Sequence, residues 1–113
     1  LLRIASDIAL GRGFRTNVVT TSGRLDSGRD FGFPYLLMPG RKYLLVGLCD
    51  TQCVDLDAGI YQVDGTEIAS DTAEDAIPIV ELDTEEEVTT IIRVEMIRCD
   101  AEPCHYAIGV YRN

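Results

Sequence analysis

The chain has 113 residues, 46% of them hydrophobic, with 19 acidic against 10 basic side chains and a net charge of −9. That length makes one domain, long enough to bury a core but with little margin. No run of eighteen apolar residues occurs, so no transmembrane helix and no membrane insertion is expected, and the acidic balance argues against nucleic acid or anionic lipid as a bulk-charge partner.

Leu1 opens the chain with neither an initiator Met nor a signal-peptide pattern, as a processed protein or an excised domain would. Leu1, Leu2, Ile4, Ala5, Ile8 and Ala9 fall close to one helical face, and Gly11 and Gly13 would stop such a helix. Residues 1–13 are therefore expected to form a short amphipathic helix or, as the competitor, an extended segment that a neighbouring copy exchanges, ahead of one domain over 14–113.

From Arg15 onward the texture is β. Thr16 to Thr21 is rich in Val and Thr, Ser22-Gly23 reads as a turn into Arg24-Leu25, and Ser27-Gly28-Arg29-Asp30 turns again. Phe31 to Met38 is a strand candidate whose Pro34 marks an edge or a bend. Pro39-Gly40 turns, and Lys42 to Cys49 is an apolar run suited to a strand buried on both faces. Leu56 to Val63, the Asp64-Gly65 turn and Glu67 to Ser70 read as a hairpin. An acidic loop from Asp71 to Asp75 leads into Ile77 to Leu82. After the acidic stretch Asp83 to Glu87, residues Val88 to Arg98 alternate, with Ile92, Val94 and Met96 on one side and Arg93 and Glu95 on the other. Tyr106 to Tyr111 closes the chain. Seven or eight short, regularly spaced strands predict an all-β fold, a jelly-roll-like antiparallel β-sandwich.

Four cysteines form two short brackets, Cys49-x3-Cys53 and Cys99-x4-Cys104. An even count in a short chain points to disulfides and to a secreted, extracellular or periplasmic location. Three pairings are possible, and the two local ones are favoured; each small loop contributes about 2 kcal/mol in a loop-entropy treatment. A zinc site from all four cysteines lacks Gly-rich knuckles, and Cys104-His105 is a poor match to haem attachment, which commonly uses a tighter bracket.

Charge is uneven along the chain. Residues 1–42 hold seven Arg or Lys and three Asp, a net +4, whereas the remaining 71 hold three Arg and sixteen acids, a net −13. Either copies attract one another head to tail, or both halves meet within one fold and partly neutralise each other.

Tyr43-Leu44-Leu45-Val46-Gly47-Leu48-Cys49-Asp50, then Cys53-Val54-Asp55-Leu56-Asp57, Ile60-Tyr61 and Asp64-Gly65, resemble the bacterial pre-peptidase C-terminal domain family. Asp71, Asp75, Pro78 and the bracket Cys99 to Tyr106 extend the resemblance over roughly residues 24–112. It implies a secreted or periplasmic jelly-roll sandwich that accompanies extracellular enzymes without being one. Some members bind calcium, and relatives in collagenases bind collagen. Ala58 departs from the larger apolar residue usual there.

Two functions follow as expectations, neither of them an enzyme, since no nucleophile elbow or convincing triad is present. The first is a structural subunit that assembles with itself, plausibly into a fibre, through Leu1, Leu2, Ile4, Ile8 and Leu10 of the N-terminal segment. The second is a calcium-dependent module for a matrix protein or polysaccharide. There Asp50, Asp55, Asp57, Asp71 and Asp75 would supply oxygen ligands to Ca²⁺, against the plain alternative of a solvated acidic edge.

Overall fold

The apolar run Tyr43 to Leu48 lies in the middle of a strand and is buried throughout, in a computed structural model that describes residues 1–113. In chain order the elements are α1 (Leu2–Gly11), β1 (Thr16–Leu25), β2 (Arg29–Leu37), β3 (Arg41–Cys49), β4 (Cys53–Gln62), β5 (Glu67–Asp71), β6 (Ile79–Thr84), β7 (Val88–Cys99) and β8 (Cys104–Arg112). The strands form two four-stranded sheets, β1-β8-β3-β6 and β2-β7-β4-β5, with antiparallel pairing throughout. Most connections carry the chain from one sheet to the other, which is the strand order of a jelly roll. The main core lies between the sheets and includes Leu37, Leu45, Leu56, Ile60, Ile92, Val94, Met96, Ile108 and Val110.

The outer face of the first sheet is covered. Leu44, Val46, Leu48 and Tyr111 form a second apolar cluster with Ala5, Ala9 and Phe14. This second cluster is why β3 needs apolar residues at consecutive positions rather than alternate ones. The face that α1 buries is narrower than the one expected. Ala5 and Ala9 press on the sheet, Ile8 packs partly beside them, and Leu1, Leu2, Ile4 and Leu10 stay exposed. Small side chains let the helix approach the sheet closely, so the larger ones turn outward. The helix has no side-chain cap at Leu1, no acid in its first turn and no base in its last, so packing is its main support.

A turn at Ser22-Gly23 is not formed. β1 runs unbroken through it, in register with β8. Gly23 faces Tyr106, and a Cβ there would lie 2.9 Å from the tyrosine hydroxyl. The glycine makes room for an aromatic ring rather than bending the chain. Pro34 sits in β2, an edge strand, where proline is tolerated.

Cys49 is bonded to Cys53 and Cys99 to Cys104, with Cα atoms 5.9 and 5.8 Å apart, and no cysteine is free. The bridges close the β3–β4 and β7–β8 connections. Two disulfides in a small sandwich fit a secreted or periplasmic protein. No helix is long and apolar enough to cross a membrane. The basic front and the acidic remainder interleave: Arg12 pairs with Glu81 at 3.7 Å, and Asp30 with Arg93 at 2.7 Å.

Candidate functional site: the outer face of the second sheet

The outer face of β2-β7-β4-β5 carries no helix, and strand register sets what it displays. Asp30 on β2 lies opposite Glu95 on β7, which lies opposite Asp57 on β4. Three carboxylates therefore stand side by side across the sheet, an arrangement that is unfavourable when like charges are direct neighbours. In the adjacent row Arg93 lies between Gly32 and Gly59. The space over both glycines is taken by neighbours, Ile91 beside Gly32 and Tyr61 over Gly59. A Cβ on Gly59 would lie 2.8 Å from the Tyr61 ring, so that ring folds over the bare backbone, and the Arg93 guanidinium sits 6.0 Å from its centroid.

Arg93 compensates two of the three acids. Its Nε donates to Asp30 Oδ2 at 2.7 Å, and its second nitrogen is 3.4 Å from Glu95. Asp57 has no such partner. Its neighbour two residues back along the strand, Asp55, points to the same side. The Oδ1 atoms of Asp55 and Asp57 are both sealed from solvent with no donor from any other residue, so the two carboxyls have only each other to share a proton with, although the residues as a whole are only half buried. Burial, then the charges of Asp55 and Glu95, push the Asp57 carboxyl up to about 6. Burial and the Glu74 charge push Asp55 in the same direction. The two acids form a coupled pair that favours holding one proton between them. Beside them an open hollow of about 530 Å³ is lined by Ser27, Val54, Asp55, Glu74, Ile97 and Arg98, with Val54 and Ile97 among the exposed apolar residues.

The expected calcium set does not assemble. No group of three or more His, Cys, Asp or Glu side chains is gathered as a metal site needs. Asp50 accepts from the N–H groups of Gln52 and His105, Asp71 from those of Ala73 and Ile79, and Asp75 from that of Ile77. These three brace loops with their oxygens, which leaves Asp55 and Asp57 as a pair rather than a cradle. The self-assembly set is also divided: Ile8 faces its own sheet, while Leu1, Leu2, Ile4 and Leu10 face solvent.

Asp30, Glu95 and Arg93 were not singled out from the sequence as site residues. The alternation of β7 puts Arg93 and Glu95 outward, but which residues lie across from them depends on pairing between β2, β4 and β7, which a single sequence does not display.

No protein-family model matches the chain, and no curated protein matches it in sequence. Among solved structures, the chain is similar to PliG of Aeromonas hydrophila, described as a periplasmic lysozyme inhibitor of g-type lysozyme. The TM-score is 0.63 at 9% identity, over 87% of this chain and 88% of that one. The likeness shows the fold: both chains are built on the same all-β framework over nearly their whole length.

Proposed function

We propose that this protein is a non-catalytic, secreted or periplasmic binding protein whose partner is another protein, which docks a cationic patch of its own on the acidic outer face of the second sheet. The observation that carries the reading is the row Asp30, Glu95 and Asp57, of which Arg93 satisfies the first two and leaves Asp57 with a sealed, unpartnered oxygen. A guanidinium or ammonium from a partner would supply the missing counter-charge, and Val54 and Ile97 offer apolar contact beside it. A fold shared with an inhibitor of g-type lysozyme supports the class of function, a protein that binds an enzyme, and makes a g-type lysozyme the first partner to test. The pre-peptidase C-terminal resemblance supports the same non-catalytic class.

The test is binding by biolayer interferometry, together with lysis assays, using a g-type lysozyme and a panel of basic and acidic proteins. Binding to a basic member should weaken with salt, and about tenfold on Asp57→Asn with Glu95→Gln, as loss of close charge pairs does. If no basic protein binds, or if binding is indifferent to both substitutions, the reading fails.

A further inference from the structure

A sheet edge is a row of unpaired backbone N–H and C=O groups, and folded proteins normally defend such edges with proline, charge or brevity. This sandwich has four edges, β1 and β6 in the first sheet and β2 and β5 in the second. Three are defended. β2 carries Pro34. β5 has five residues and acids at both ends, Glu67 and Asp71. β6 has six, with Glu81 and Asp83 among them. β1 is different: ten residues, rich in Thr and Val, no proline, Arg24 its one ionised side chain, and a single bulge at Asn17–Val19 that leaves Thr20–Leu25 as a regular, undefended edge.

A second observation falls on the same side of the molecule. Along the opening between β1 and β2, inner-face residues are incompletely covered. Val19, Leu25, Phe33 and Tyr35 are only partly buried, and Phe31 is 40% exposed although its ring stacks near Phe33 and Tyr106.

We propose that β1 is a self-recognition edge, pairing antiparallel with β1 of a second copy around a twofold axis, so that the two first sheets become one eight-stranded sheet. Charge selects this occupant. A pair centred on Ser22, within the regular stretch, sets Arg24 against Thr20 rather than against its own copy, so no like charges meet. The same operation on β5 or β6 brings carboxylates close together. The new strand on each sheet also extends over the opening beside Phe31 and Phe33. The contact is isologous and closes at two copies, so it predicts a dimer and not a fibre. It does not use the N-terminal helix.

The experiment is analytical ultracentrifugation of the intact oxidised protein from low to high micromolar concentration. Mass should rise from 12.5 kDa toward twice that value. Each copy carries −9, so association should tighten with added salt. Thr20→Lys with Ser22→Lys places lysine against lysine at position 22 and lysine against Arg24 at position 20. Both positions face solvent, so the circular dichroism spectrum should be unchanged while the mass returns to that of one chain. Hydrogen exchange should show β1 amides gaining protection with concentration in the wild type and not in the variant. A wild type that stays monomeric at the highest concentration, or a dimer that the two lysines leave intact, overturns the proposal.

Discussion

Asp57→Asn should make this protein more stable at neutral pH and leave it unchanged in acid. An aspartate ordinarily titrates near 3.8, and the fold moves Asp57 to about 6. The native state therefore holds its proton over a range where the unfolded chain has already released it. Below about pH 4 both states are protonated and the group contributes nothing. As pH rises from about 4 to 6 the unfolded state gains ionisation that the native state does not, and stability is lost; above about 6 the loss is complete and constant. The interval of roughly two pH units corresponds to at most about 3 kcal/mol. Asp57 is only half buried, so solvent screening brings the expectation down to about 1–2 kcal/mol. The asparagine keeps the shape, removes the charge beside Asp55 and Glu95, and brings an N–H₂ group that can donate to the stranded Asp55 oxygen.

The assay is urea unfolding of wild type and variant with disulfides intact, followed by circular dichroism because the chain has no tryptophan. Midpoints are compared across the acid-to-neutral range. The difference between the two proteins should be near zero at the acid end, open through the region around the Asp57 titration, and then stay flat. A difference that is the same at every pH would show that the substitution acts through packing. A variant less stable than wild type at neutral pH would refute the idea that Asp57 is electrostatically strained.

Gly109→Ala should cost about 1–3 kcal/mol, because its Cβ would lie 2.6 Å from the Tyr111 ring, which is buried under α1 and hydrogen-bonded from its hydroxyl to Ser6 Oγ at 3.2 Å; urea midpoints measure it. Ala9→Leu should loosen α1 without unfolding the sandwich, since Ala9 is fully buried against the sheet and the helix has no side-chain cap at its N-terminus; trypsin should then cut after Arg12 and Arg15 while the remainder resists. Replacing Cys49 and Cys53 together with serine should lower stability by about 2 kcal/mol, and Cys99 with Cys104 by a similar amount, read as shifts in urea midpoint.

Much of the sandwich was legible because burial on one face writes period-two alternation into a strand, as in Val88 to Arg98, and because Asp64-Gly65 and Ser27-Gly28 are turn chemistry that few other contexts tolerate. The apolar stretch of β3 was legible as doubly buried, but not what buries it. Its outer cover is α1, and the helix meets it through Ala5 and Ala9, the residues whose small side chains give the weakest apolar signal. The helical face expected from spacing held Ala5, Ile8 and Ala9 together with Leu1, Leu2 and Ile4, and the close helix–sheet approach keeps the first three and turns the others outward. Gly23 was misread for a related reason: the partner that makes it necessary, Tyr106, lies more than eighty residues away. The acidic site was half legible. Asp55 and Asp57 stand out as a spaced pair, but Asp30 and Glu95 join them only through register, and the hydrogen bonds that commit Asp50, Asp71 and Asp75 to loop backbone have no signature in spacing.

The two outer faces of the sandwich obey different rules, and the difference bears on function. The first sheet is completed by a helix, with apolar residues wherever its cover needs them. The second keeps carboxylates in adjacent positions across three strands, with one arginine among them and a pair of sealed oxygens that the fold leaves unpaired. Stability alone would favour an asparagine at position 57. A strained, uncovered face of this kind is expected where a partner supplies the missing charge, so that the cost in the free protein becomes affinity in the complex. Asp57→Asn therefore has opposite expected signs in two assays, firmer against urea at neutral pH and weaker toward a cationic partner. Moving together in both would mean that the row is a packing feature and that the binding face lies elsewhere.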